Sequence, residues 1–170
     1  AQGDFSVVAS ITDAAGNEST ANISGNVDTI TPVVTFDALG LGNDSTPVIS
    51  GTSTEPAGTV INIVITDSNG DEHPITATVD ANGDWQATSP ELPDGSYNVQ
   101  ASITDDAGNT GGATQTGNLD TLAPTLTLDT VGATNDSTPT ISGSSNAPAG
   151  TVINISVSDG TTTETFTATV

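Results

Sequence analysis

Cysteine, methionine, lysine and arginine are all absent from this 170-residue sequence, and only five side chains are aromatic. Each absence closes a class of function. Without cysteine there are no disulfides, no thiolate zinc sites and no cysteine nucleophiles. Without lysine or arginine nothing grips a phosphate backbone, so nucleic acid is excluded as a partner. An anionic membrane surface would repel the chain, and no apolar run is long enough to span a bilayer, so direct membrane insertion is not expected. No secretory leader is read at the N-terminus, and the chain is expected to come from the middle of a longer one.

What is present is acid. Twenty-one Asp and Glu face a single histidine, for a formal net charge of −21. The carboxylates have no basic side chains to pair with, so counter-ions or bound cations must offset their repulsion. An apolar fraction of 33% with this charge could suggest disorder. Two features argue otherwise. Val, Ile and Leu fall in short alternating runs separated by turn residues, and the abundant Thr suits strands.

An internal repeat sets the architecture. NDSTPVISGTSTEPAGTVINIVITD begins at Asn43, and NDSTPTISGSSNAPAGTVINISVSD begins at Asn135, 92 residues later. The same offset relates ITDAAGN at Ile11 to ITDDAGN at Ile103, and VDTITP at Val27 to LDTLAP at Leu119. Three separate blocks on one domain-sized period make a tandem array. The reading is the C-terminal part of one repeat over residues 1–27, a complete repeat over 28–119, and the N-terminal part of a third over 120–170. Residues Asp80 to Pro93 have no counterpart in either part-repeat.

Within the complete repeat seven short strands are expected, near 33–37, 47–52, 60–66, 74–79, 85–88, 96–104 and 113–119. Tyr97, Val99, Ala101 and Ile103 alternate with polar residues and are expected to face inward, as are Ile61, Ile63 and Ile65. No convincing helix is read, because Pro, Gly, Asn and Thr interrupt every candidate window. Seven strands in about 90 residues, with a turn every 8–12, is the pattern of an all-β fold of tandem immunoglobulin-like β-sandwiches with Greek-key connections. Trp85 is expected to be the largest core anchor, and Tyr97, after the turn Pro93-Asp94-Gly95, sits where such sandwiches carry a tyrosine corner.

That topology sorts the acidic residues to two poles. Asp28, Glu55, Asp80, Asp84, Asp105, Asp106 and Asn109 are expected at the N-terminal pole. Asp44, the loop from Asp67 to Glu72, and Asp120 are expected at the other. A junction would then bring carboxylates from three or four loops together. Two carboxylates ~4–5 Å apart repel by about 1 kcal/mol even at a water-like dielectric. A hard dication with six to eight oxygen ligands suits a mixture of Asp, Glu, Asn and backbone carbonyls, so calcium is the expected cofactor. The candidate ligands are Asp28, Glu55, Asp105, Asp106, Asn109, Asp120 and Asp44, with Asp13 at the place in the first part-repeat that Asp105 takes in the complete one. Binding only the docked geometry would stiffen linkers already restricted by Pro32 and Pro124. A solvated loop is the ordinary reading of any single Asp here. Asn146 stands where Glu55 would recur, which weakens the expectation for the following junction.

Asp67-Ser-Asn69-Gly70-Asp71 and Asp80-Ala-Asn82-Gly83-Asp84 look like the first half of a calcium loop. Their glycine comes at the fourth position rather than the sixth, and no Glu closes the twelfth, so they are read as turns. His73, beside the first of them, is read as a surface histidine. No nucleophile constellation or phosphate loop is present, and repeated exposed loops offer no pocket for acid–base catalysis, so no enzyme is expected.

The segments NDSTPVISGT, EPAGTVINI, DANGDW, LPDGSYNVQASITDDAGN and LDTLAP together resemble the bacterial Ig-like repeats of large secreted adhesins, including RTX-type and biofilm-associated ones. The resemblance implies export by type I secretion, a place at the bacterial cell surface, and a role as extenders that hold terminal adhesive domains away from the cell, often with calcium at the linkers. It implies partners no more exotic than calcium and the neighbouring repeats of the same monomeric string. Two other functions remain open at this stage: an Ig-like module that itself binds a carbohydrate or receptor, and a spacer within a surface enzyme.

Overall fold

The computed structural model describes residues 2–170; Ala1 lies outside the described residues. The chain divides into two compact units, one running to Thr121 and one from Leu122 to Val170. Among the described residues every regular element is a strand.

In the first unit, β1 (Gly3–Thr12) and β2 (Glu18–Val27) form a two-stranded hairpin. The complete repeat then contributes β3 (Leu41–Gly42), β4 (Val48–Thr52), β5 (Val60–Thr66), β6 (Glu72–Thr78), β7 (Asp84–Thr88), β8 (Gly95–Thr104) and β9 (Thr110–Leu119). Two sheets pack face to face. One has the order β3-β9-β8-β5-β6, and the other pairs β4 with β7. All pairings are antiparallel except β3 with β9, which is parallel. Crossing between sheets at β3–β4, β4–β5, β6–β7 and β7–β8 makes this an immunoglobulin-like sandwich.

Alternation in the sequence becomes burial. Tyr97, Val99, Ala101 and Ile103 of β8 are at most 5% exposed, and Ile61, Ile63 and Ile65 of β5 at most 1%. Strand β8 lies between β5 and β9, so its inward row is covered along its length. From the other sheet come Ile49 and Trp85, with Val34 of the segment beside it. Trp85 is 3% exposed, its Nε1 donates to Thr52 O at 3.2 Å, and Phe36 meets its ring edge-on with centroids 5.4 Å apart. The Tyr97 ring fills the space above Gly117, its partner across β8–β9. A Cβ on Gly117 would lie 2.3 Å from that ring, so only glycine fits. Phe5 over Gly25 repeats the arrangement one period earlier.

The structure corrects several details. Residues 33–37 form no continuous strand. They lie along β4 through one bridge, Val34 to Ser53, and backbone bonds such as Thr35 N to Thr52 O. The approach is so close at Gly51 that a Cβ there would sit 1.9 Å from Thr35 O. Strand β9 starts at Thr110, three residues before the expected position, and β3 is an extra element. The Asp67–Asp71 turn closes the β5–β6 hairpin, whereas the Asp80–Asp84 turn carries the chain from one sheet to the other. His73 is not a freely solvated surface residue: it is half-buried, and its Nε2 pairs with Asp67 Oδ2 at 3.0 Å.

The second unit contains β10 (Leu126–Leu128) paired with β11 (Gly143–Ser145), and β12 (Val152–Ser158) paired with β13 (Thr163–Thr169). These match, one period on, residues 34–36, 51–53, β5 and β6 of the complete repeat.

Candidate linker-pole sites

Hydrogen bonds between loops define the two poles of the complete repeat. At the N-terminal pole the loop after β4 is tied to the loop after β6 by Ser53 N donating to Gly83 O, and to the incoming linker by Thr54 N donating to Val33 O. The β8–β9 turn reaches the same linker through Asn109. Its Nδ2 donates to Asp28 O at 3.2 Å and to Asp105 Oδ2 at 2.8 Å. At the opposite pole Leu92 N donates to Ser45 O, Ser68 Oγ to Asp94 O, and Asp120 N to Gly42 O.

Asp28, Glu55, Asp105, Asp106 and Asn109 therefore share one pole, while Asp44 and Asp120 lie at the other. Asp13 lies in the turn of the first hairpin. Asp28, Glu55, Asp105 and Asn109 are half-buried; Asp106, Asp44, Asp120 and Asp13 are exposed. Much of the carboxylate capacity is turned onto the local backbone. Asp105 Oδ1 accepts from the amides of Ala107 and Asn109, and Asp13 Oδ1 from those of Ala15 and Asn17. Asp28 Oδ1 accepts from Ile30 N and from Gln2 Nε2. Asp44 Oδ1 accepts from the amide and hydroxyl of Thr46. At Asp105, Asp13 and Asp44 these turns favour the ionised acid. Asn109 and Asn17 donors hold Asp105 and Asp13 below the ordinary carboxylate range, and the Thr46 amide does the same for Asp44. His73 is the main cause of the same lowering at the buried Asp67.

The donor chemistry of the N-terminal pole suits a hard dication, since all candidates are oxygen donors. Among the described residues, however, no three His, Asp or Glu side chains are gathered into one group able to hold a metal. The structure brings together the loops and the Asp28–Asn109–Asp105 chain of contacts, but does not aim the carboxylates at a common point.

Sequence reasoning passed over a second arrangement. Asp94 Oδ1 accepts from the Thr121 amide at 2.9 Å and from its hydroxyl at 2.8 Å, latching the outgoing linker to the loop before β8. Exactly one period earlier, Gln2 Oε1 accepts from the Thr29 amide at 3.0 Å and hydroxyl at 2.9 Å. The signal was the Asp-Thr dipeptide recurring in both linkers, at Asp28-Thr29 and Asp120-Thr121.

Comparison with known proteins places these features. Residues 37–121, half of the chain, match the family described as bacterial Ig-like domain. A solved tetra-tandem repeat from the extending region of a large adhesion protein is 30% identical over 99% of this chain, with a TM-score of 0.51. A bacterial ice-binding adhesin structure is 22% identical over 100% of the chain at TM-score 0.45, and CopC from Methylosinus trichosporium OB3b is 20% identical over 52% at 0.40. The chain spans 46% of the tetra-tandem structure and 60% of the ice-binding adhesin structure. No curated protein matches the chain.

Proposed function

The chain belongs to the bacterial Ig-like domain family, and from that premise we propose that it is a length of extender in a large bacterial surface adhesin, stiffened by calcium at the junctions between repeats. The observation that carries this reading is the linker latch. The same threonine, one period apart, gives both its amide and its hydroxyl to a side chain of the loop it leaves. A linker bonded twice at its first residues exits each repeat in one direction, as a spacer of fixed geometry requires. Likeness to the extending region of a large adhesion protein supports the same role.

Calcium would act on the other side of the junction. Asp28, Glu55, Asp105, Asp106 and Asn109 would hold it at the N-terminal pole, and Asp120 with Asp44 at the C-terminal one. An ion there would neutralise part of the −21 charge and join the incoming linker to the loops. The extracellular setting that the adhesin reading implies provides calcium in the millimolar range that weak modular sites need. In this reading the chain performs no catalysis and projects adhesive domains carried elsewhere on the longer protein. Calcium titration by calorimetry tests it. Binding reduced in the double variant Asp28→Asn/Glu55→Gln, whose Asp44 and Asp120 are untouched, supports the N-terminal site; no heat at millimolar calcium, or heat unchanged in the variant, refutes it.

A further inference from the structure

The turns Asp67-Ser68-Asn69-Gly70-Asp71 and Asp80-Ala81-Asn82-Gly83-Asp84 share one pattern and one geometry. In each, the first Asp amide donates to the carbonyl of the last, at 3.0 and 2.8 Å, and the glycine amide donates back to the first, at 3.1 and 3.2 Å. The glycines have φ of +89° and +88°. An Asn-Gly pair carries its own reactivity. Glycine has no Cβ to shield its amide nitrogen, and its backbone turns freely, so that nitrogen can reach the carboxamide carbon of the preceding asparagine. By sequence the two pairs are equivalent, since each is followed by Asp.

The fold separates them. Asn69 and Gly70 are exposed, and a Cβ on Gly70 would meet nothing within 4 Å. The contacts that anchor this turn fall before the reacting bond: Asp67 on His73, and Ser68 Oγ on Asp94 O. In the other turn the anchor is the reacting glycine itself. Gly83 is half-buried, its carbonyl accepts from Ser53 N at 2.8 Å, and a Cβ there would lie 3.0 Å from Ser53 O. The Asn82 backbone amide is the main cause of a lowered pKa at Asp80, and the Asn82 side-chain amide contributes to it as well. Asn82 is thus held at both its backbone and its carboxamide.

We propose that Asn69 is a site of spontaneous deamidation in the folded chain and that Asn82 is protected from it. Gly70 N, losing its proton, bonds to Asn69 Cγ. The Cγ–Nδ2 bond breaks, ammonia leaves, and a five-membered succinimide remains. Water opens the ring at either carbonyl and leaves aspartate or isoaspartate, so the net reaction consumes one water and releases one ammonia. Both products put a new carboxylate between Asp67 and Asp71. Isoaspartate also adds a methylene to the main chain, inside a turn where Asp67 Oδ1 accepts from the amides of residues 69 and 71. The modified turn stands at the C-terminal pole, where its Ser68 bonds to the carbonyl of Asp94, the residue that latches Thr121.

Prolonged incubation of the full 170-residue chain in mildly alkaline buffer, folded and in concentrated urea, tests the proposal. Proteases that cut at Asp and Glu release the peptides, because the chain has no Lys or Arg. Mass spectrometry then follows deamidation at each asparagine, and electron-transfer fragmentation identifies isoaspartate. In urea the two sites are expected to convert at equal rates. In the folded chain Asn69 is expected to convert roughly ten-fold faster than Asn82, whose opening must also break the Ser53–Gly83 bond. The variant Asn69→Gln, with Trp85 fluorescence reporting the fold, is expected to lose the fast phase. Equal rates in the folded chain, a faster Asn82, a folded Asn69 still intact when the urea sample is converted, or a fast phase that survives Asn69→Gln would each overturn it.

Discussion

Truncating Trp85 to alanine measures how much of the sandwich hangs on one side chain. The indole is 3% exposed, meets Phe36 edge-on at 5.4 Å, and donates to Thr52 O. Removing a buried aromatic side chain costs about 3–5 kcal/mol through lost transfer energy and the cavity left behind. At about 4–8 °C per kcal/mol for a domain of this size, the melting temperature of the complete repeat drops by roughly 12–40 °C. That is a large part of the 5–15 kcal/mol typical of a whole domain. Trp85→Phe keeps the aromatic contact and part of the volume, and falls between. Thermal unfolding followed by far-UV circular dichroism is the assay, since the variants lose the only tryptophan. A drop below about 1 kcal/mol for Trp85→Ala would refute the claim that this residue anchors the β4–β7 sheet against the core.

Other perturbations separate the remaining links. Gly117→Val drives a branched side chain into the Tyr97 ring and destabilises by about 1–3 kcal/mol, with partial recovery in Gly117→Val/Tyr97→Ala; equal melting temperatures for the single and double variants would contradict the clash. Asn109→Ala removes the bonds to Asp28 O and Asp105 Oδ2, so amide exchange across residues 28–32 and 105–109 quickens while the β5–β8 core keeps its protection. Asp94→Ala frees the Thr121 amide and hydroxyl, and the Thr121 amide loses hydrogen-exchange protection with no change at Trp85. Asp67, Asp80 and Asp105 have folded pKa values below the ordinary 3.8, through His73, the Asn82 amide and Asn109 respectively. Their contribution is therefore fully present above about pH 4 and is lost as pH falls through the lowered folded values. Melting temperature is expected to fall with acid below that point even as net charge shrinks; a rise on acidification would contradict it.

The sandwich was legible because its signal is periodic. Alternation in β8 and β5 was read directly, and every residue expected inward is buried. The 92-residue period relates β1–β2 to β8–β9, and the two hairpins share one register. Local deviations were not legible. β3 is two residues long and pairs in parallel with a strand more than 70 residues away, so nothing nearby in sequence marks it. The bridge-only segment at 33–37 follows from the close approach at Gly51, a property of two backbones and not of either segment alone. The candidate site shows the same limit. Topology sent the right loops to each pole, but which way a carboxylate turns depends on local donors. Asp105 and Asp13 bend back onto their own turns, a bond between residues two and four apart that competes with any shared ligand. The Asp94–Thr121 latch spans 27 residues across a pole and needed the fold to be seen.

Stiffness at the junctions is the property on which the extender reading depends. Small-angle scattering of the chain at a concentration where it is monomeric, in millimolar calcium and then in chelator at matched ionic strength, reads it directly. The account predicts an elongated particle in calcium whose maximum dimension shortens and whose scattering shows flexibility in chelator, with the sandwich itself still folded by circular dichroism. Identical profiles in the two buffers would contradict it.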